Sequence, residues 1–311
     1  MHQAIVARAP GIVSYGITPP KRSLTPDKRK EVAERQTKRI QALPVDGLVV
    51  YDLQDESGRT AEERPFPYLE TVDPVDYAFE DLAAVTLPKV CYRCVAGLSP
   101  RALAESMDRI AAQGGLCTLV GAASRRQQTH LKLSDAYALY QERFSHLPLG
   151  GVLIAERHSP EQREDERTFR KVDLGCSFFV TQAVYSVVAS KNVLSDLYYS
   201  ALASQRPLPP ILVTLSPCGS HKTLEFMRWL GISVPQWLAN ELDHAQDILG
   251  KSLDICCAIL EDLLEFCAPK GIPLGCNVES VSIRKEEIDA SVELVHRVRT
   301  LMPRVPLPPN G

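Results

Sequence analysis

Eight short apolar runs, each followed by a helix-patterned segment, punctuate this sequence and leave it few folds to choose from. They are GIVSYGI from Gly11, GLVVYDL from Gly47, KVCYRCV from Lys89, LCTLVGA from Leu116, GVLIAE from Gly151, CSFFVTQ from Cys176, ILVTLS from Ile211 and IPLGCNV from Ile272. They are near-continuously apolar and rich in Val, Ile and Leu. Strands covered by helices on both faces read this way, whereas strands of a half-solvated sheet alternate. Between the runs lie amphipathic stripes at helical spacing, such as Leu103, Met107 and Ile110, and Ile288, Val292, Val295 and Val298. After the seventh run there is more helix than one crossover needs, predicted over Lys222 to Trp229 and Leu238 to Phe266, with Pro235 and Gly271 as punctuation. Eight βα units predict an α/β fold, a single (β/α)8 (TIM) barrel over residues 1–311, with extra helices between strands seven and eight. The Pro-rich end, 303–311, is expected to fray.

The competing architecture is an open doubly wound sheet. It calls for a Gly-rich dinucleotide turn after the first strand, and the turn here is Thr18-Pro19-Pro20. With Lys+Arg 35 against Asp+Glu 38, the net charge of −3 argues against a nucleic-acid partner. No apolar run approaches the ~20 residues of a membrane helix, and Met1 to Pro10 lacks the basic and apolar regions of a signal peptide. Most of the nine Cys lie inside apolar runs, which suits buried reduced thiols in a cytoplasmic protein. Cys91 and Cys94, three apart on a strand, point to opposite faces, and no second pair completes a metal site, so none is expected.

A barrel of this kind builds its site from the C-terminal ends of its strands. That rule alone nominates Tyr15 and Thr18, then Asp52, Gln54, Asp55 and Glu56. Tyr92 and Arg93 follow, with Ser124, Arg125 and Arg126, and then Glu156, Arg157 and His158. Thr181, Gln182, Ser216, Asn277 and Glu279 complete the ring. A carboxylate with a raised pKa in such a ring could serve as a general acid. Gly219-Ser220-His221 opens the helix after strand seven. It reads either as an anion site of free backbone N–H groups or as a plain Ser N-cap. Trp229 and Trp237 are expected to pack helices.

Several segments resemble the methylenetetrahydrofolate reductase family, in the right order over most of the chain. The strongest is GVLIAERHSPEQREDERTFRKVDLGCSFFVTQ, with Lys171, Asp173-Leu174-Gly175 and Thr181-Gln182 in matching places. SYGITPPKR, SPCGSHKTLEFMRWLGISVPQWL and GIPLGCNVESVSIRKEEIDASVELVHRV resemble the first, seventh and last units. The resemblance implies reduction of 5,10-methylenetetrahydrofolate to the 5-methyl form, with FAD at the barrel mouth and NADH or NADPH as hydride donor. It implies that Gln182 holds the pterin with Thr181 beside it, and that Lys171 and His158 contact the flavin. Strand-end position adds Tyr15 and Ser216 to the folate set, and Tyr51, Ser124, Arg125 and Arg157 to the cofactor set. Two acidic residues of the family are missing. Gly16 stands where the first strand carries the Glu that protonates the folate nitrogen, and Gly121-Ala122-Ala123-Ser124-Arg125 replaces a loop with an Asp. Asp52, Asp55, Glu156 and Glu279 are the candidate replacement acids. Three accounts remain open: a flavin reductase with a substitute acid, a folate barrel that takes hydride directly from NAD(P)H, and a binding or assembly homologue without the chemistry.

Overall fold

In the computed structural model of the chain, which describes residues 1–56, 58, 60–122 and 128–302, all eight runs are strands. They are β1 (Val13–Ile17), β2 (Gly47–Val50), β3 (Lys89–Cys94), β4 (Leu116–Val120), β5 (Leu149–Leu153), β6 (Cys176–Ala183), β7 (Ile211–Leu215) and β8 (Leu274–Val278). Each pairs in parallel with its sequence neighbours, and β8 closes on β1 through Val13–Cys276, Ser14–Asn277 and Tyr15–Val278. The expected barrel is therefore the observed one. The helices are α1 (His2–Val6), α2 (Pro26–Gln41), α3 (Pro74–Asp76, running into a π-helical turn Tyr77–Asp81), α4 (Pro100–Ala112), α5 (Leu133–Arg143) and α6 (Glu164–Asp173). They continue as α7 (Val187–Ser204), α8 (His221–Trp229), α9 (Gln236–Asp243), α10 (Ile248–Cys267) and α11 (Lys285–Leu301). Among the described residues no helix is long and apolar enough to cross a membrane.

Successive strand residues point alternately into the barrel and out to the helices, so each strand feeds two cores. The outer core takes Val13, Tyr15, Ile17, Cys91, Phe179 and Val213, together with the helix faces. The inner core takes Val49, Val90, Tyr92, Leu116, Phe178, Val180 and Leu212. Gly150 makes room in it, since a Cβ there would meet the Phe178 ring at 2.6 Å and Thr118 Oγ1 at 2.5 Å. The floor is closed by α1, whose Ile5 and the preceding Met1 pack up into the inner core. No periodic pattern in five residues announces that plug.

Two helix expectations need correction. The long helix predicted over Leu238 to Phe266 is two helices, because Asp247 leaves the helix and caps α10 by accepting from Gly250 N at 2.9 Å. In α11 Val295 and Val298 are buried as expected, but Ile288 and Val292 are only half-buried. Glu287 and Ser291 take inner positions instead: the Glu287 carboxylate accepts from Gly219 N in the loop after β7 and from Thr223 of α8, and Ser291 Oγ lies 2.9 Å from Tyr15 OH of β1. All nine cysteines are free and eight are buried.

Candidate functional site

At the C-terminal mouth, the inward positions of β1, β2, β7 and β8 form one hydrogen-bonded group. Ser14 Oγ donates to Asn277 Oδ1 at 2.9 Å. Asn277 Nδ2 donates to Tyr51 OH at 2.9 Å and to Thr214 Oγ1 at 3.3 Å. Glu279, two residues on, receives hydrogen bonds from Tyr51 and Asn277. Burial nevertheless dominates and pushes its carboxyl up from 4.5 to about 7. Tyr92 meets Tyr51 edge-on, with ring centroids 4.8 Å apart. Burial first, and the Glu279 charge second, push both phenols above their usual range.

Gly16 explains how the carboxyl fits. A Cβ built on it would stand 2.8 Å from Tyr51 Cε2, 3.0 Å from Glu279 Cβ and 3.2 Å from Glu279 Oε2. The space above β1 is thus filled from β8 and β2, and only glycine leaves room for them. Of the four candidate acids, Glu279 alone belongs to this group. Asp52 points outward from β2. Its carboxyl is raised by burial, against the pull of Arg93 and of Cys94 N–H, which donates to it at 2.7 Å. Glu156 lies in the turn after β5, raised by burial, and accepts from Ser233 N at 3.4 Å. Asp55 lies in the long segment after β2 and is engaged in contacts of its own.

Gln182 is at the mouth end of β6. Its Nε2 donates to the Leu230 carbonyl at 2.9 Å, while its buried Oε1 has no partner. An acceptor left open in a buried position is costly unless a ligand completes it. Thr181 is spent on the barrel wall: its Oγ1 accepts from Thr214 N at 2.9 Å and donates to the Gln182 carbonyl. Tyr15 and Ser216 also face away from the mouth. Tyr15 reaches α11, and Ser216 Oγ accepts from Val281 N at 3.2 Å. Residues adjacent on a strand take opposite faces, so strand-end position alone could not separate Tyr15 from Gly16.

The implied flavin contacts are likewise engaged elsewhere. Lys171 donates to the Val152 carbonyl at 2.5 Å, and burial holds its ammonium below the usual range. His158 is half-buried against α6 and α7, 3.7 Å from Asp165 and 3.3 Å from Asp196. Those three side chains converge within 4.8 Å, but Arg163 already fills the cluster, bonding Asp165 at 2.9 and 2.8 Å. Arg157 lies in the turn after β5 beside Glu156. Ser124 and Arg125 lie outside the described residues. The described residues matched to flavin contacts do not fit an FAD at the mouth.

Two segments wall the mouth. The described residues between β2 and α3 reach α8, where Trp229 Nε1 donates to the Glu62 carbonyl at 3.1 Å. They return beside β1, where Arg22 N donates to the Glu70 carbonyl at 2.9 Å. The stretch from Leu230 to Pro235 closes the β5–β6 side through Gln182 and Glu156. At Gly219-Ser220-His221 the helix start is capped, not open. Ser220 Oγ accepts from Thr223 N, and the buried Glu287 carboxylate takes Gly219 N at 2.9 Å. A large cleft, 1280 Å³, is not the mouth. It lies outside β2 and β3 against α2 and α3, with Asp52 and Arg93 on its wall, and its seven carboxylates outnumber its four cationic side chains.

Fold and mouth together define a (β/α)8 barrel whose open end carries a protonatable carboxyl and an amide with an unfilled acceptor. The chain belongs to the same family as an uncharacterized Clostridium thermocellum protein that binds two copies of 5-methyl-5,6,7,8-tetrahydrofolic acid. The two are 44% identical, with a TM-score of 0.86 over 97% of this chain and 99% of that one. A dihydropteroate synthase from Xanthomonas albilineans with 4-aminobenzoic acid is 15% identical, with a TM-score of 0.45 over 97% and 98% of the two chains. A Toxoplasma gondii protein described as a deoxyribose-phosphate aldolase is 8% identical, with a TM-score of 0.45 over 96% and 97%. No family model and no curated protein matches the chain.

Proposed function

We propose that this barrel binds a reduced folate at its mouth and reduces 5,10-methylenetetrahydrofolate to 5-methyltetrahydrofolate, with NAD(P)H as a co-substrate that delivers hydride directly. The observation that carries this reading is the Glu279 carboxyl, which fills the space above Gly16 where the resembled reductases place their acid. Its relative's affinity for 5-methyltetrahydrofolate, the product of that reaction, supports the choice of substrate. Direct transfer is favoured because Lys171 and His158 are committed to the protein.

The step balances as follows. Glu279, with a pKa of about 7, is substantially protonated near neutrality and gives its proton to N10 of the folate. The bond from N10 to the bridging carbon breaks, and the electron pair stays on N10. The iminium left at N5 accepts hydride from C4 of the dihydronicotinamide and becomes the methyl group. The Glu279 carboxylate then takes a proton from water. Tyr51, held by Asn277, keeps the carboxyl aimed across the mouth. Gln182 Oε1 accepts an N–H of the pterin.

Calorimetry with 5-methyltetrahydrofolate and a NAD(P)H oxidation assay with the methylene substrate test this. Gln182→Ala is expected to weaken folate binding by about tenfold, or ~1.4 kcal/mol. Glu279→Gln is expected to lower the turnover rate by about 100-fold or more while folate still binds. A wild type that binds no reduced folate overturns the folate reading. Folate binding without NAD(P)H oxidation leaves a binding protein and overturns the reductase.

A further inference from the structure

Outside the barrel, between the turn after β5 and the helices α6 and α7, one imidazole is poorly served by its neighbours. His158 follows that turn, and only 9% of its side chain is exposed. Its Nδ1 is buried without a hydrogen bond. That nitrogen faces the fully buried Asp165 carboxylate of α6 at 3.7 Å, too far for a hydrogen bond. On the other side of the ring, Nε2 lies 3.3 Å from Asp196 of α7. One donor atom from each of the three residues lies within 4.8 Å of the other two. Arg163 is the cation now on this cluster. It bonds Asp165 at 2.9 and 2.8 Å and comes within 3.5 Å of Asp196, while Ser200 Oγ donates to Asp165 at 3.0 Å. Burial works against the Asp165 charge, but the bonds from Arg163 and Ser200 outweigh it and hold the carboxyl below its ordinary range.

A guanidinium offers only N–H donors. It neutralises the two carboxylates and does nothing for an imidazole lone pair. With the Nε2 proton directed at Asp196, Nδ1 turns its lone pair to the Asp165 carboxylate, and two acceptors meet face to face. A metal ion shared between them resolves that. An imidazole among carboxylates suits zinc better than magnesium or calcium, which take oxygen ligands. Zinc holds N and O ligands at about 2.0–2.2 Å, which sets them roughly 3.3–3.6 Å apart around a tetrahedral ion. The 3.7 Å between Nδ1 and Asp165 is close to that spacing. We propose that His158, Asp165 and Asp196 form a zinc site on the outer side of the barrel, from which Arg163 withdraws when the ion binds. Arg163 directly precedes α6 with its side chain 39% exposed, so it has solvent to turn into. The ion fastens the turn after β5 to both helices, and the site stands independently of the folate reading.

Calorimetry and thermal denaturation of the chelator-treated full chain with zinc chloride test this, with magnesium chloride as the control. The proteins are wild type, His158→Ala, Asp196→Asn and Arg163→Ala. Wild type is expected to take up one zinc ion and to melt at a higher temperature with it. His158→Ala is expected to lose more than about 100-fold in zinc affinity, beyond the loss that an outer partner of a ligand brings. Arg163→Ala removes the competing cation and is expected to tighten zinc by about tenfold, a gain that a purely structural ion pair would not produce. Cobalt(II) in place of zinc is expected to show tetrahedral absorption bands without a thiolate charge-transfer band, which separates the site from the half-buried Cys257. A wild type that binds no zinc, or binds magnesium as well as zinc, overturns the proposal. So does zinc affinity that survives His158→Ala, that fails to rise in Arg163→Ala, or that comes with a thiolate band. If His158→Ala does not fold, Asp196→Asn decides, because that side chain is 46% exposed and its loss spares the core. Unchanged zinc affinity in Asp196→Asn overturns the site, and a loss of about tenfold supports it.

Discussion

The pH dependence of stability should carry the signature of Glu279. Burial lifts its carboxyl from 4.5 to about 7. Each tenfold change in a proton equilibrium is worth about 1.36 kcal/mol, so ionising this group in the folded chain costs up to about 3 kcal/mol more than in the unfolded one. Glu279 is only partly buried, and water at the mouth trims that figure. Between those two pKa values the folded chain holds a proton that the unfolded chain has released. Its contribution therefore lowers stability as the pH rises across that window and is constant above it. Glu279→Gln has no proton to hold. The difference in melting temperature, variant minus wild type, is expected to grow by roughly 5 °C between pH 5 and pH 8, at about 2 °C per kcal/mol for a chain of this size. Scanning calorimetry at both pH values checks it, and a urea titration at each guards against irreversible unfolding. Parallel pH profiles for the two proteins would refute the claim that this carboxyl holds its proton at the mouth up to about pH 7.

Three further outcomes follow from the geometry. Gly16→Ala forces a methyl group to within 2.8 Å of Tyr51 Cε2, and thermal denaturation should show a loss of about 1–3 kcal/mol, with folate affinity falling alongside it. Glu287→Ala strands the Gly219 N–H and the Thr223 and Ser282 hydroxyls, which all donate to that carboxylate. About 3 kcal/mol of stability should go, and amide exchange at residues 219–223 should quicken. Burial raises every thiol above its ordinary value, and Cys257 alone is half-buried. A thiol reagent at neutral pH should therefore label one cysteine promptly in the native protein and nine in denaturant.

The barrel was legible because strands buried on both faces cannot hide their apolar continuity, and eight such runs have one common solution. The mouth was legible only in outline. Strand ends could be counted from the sequence, but parity decides which residue enters the barrel. One register step separates Tyr15, which reaches α11, from Gly16, which faces the mouth. His158 and Lys171 follow the resembled order yet turn to α7 and to the β5 backbone, because nearby partners of opposite charge or free lone pairs decide side-chain direction. Gly16 itself looked like a missing acid. Its meaning depends on two residues more than thirty positions away, Tyr51 and Glu279, which no local pattern could bring together.

The pairing of Ser14 with Asn277 joins the first βα unit to the last, 263 residues apart. The proposed acid stands on that seam. During synthesis, seven strands and most of the helices can leave the ribosome before any chain carries Glu279. Until the eighth strand arrives, the first has an unpaired edge, and the floor of the future site is open to water. Competence for proton transfer and closure of the barrel thus arrive in one event. A nascent or truncated chain that ends before Leu274 should lack both, however much of its helical structure is already formed.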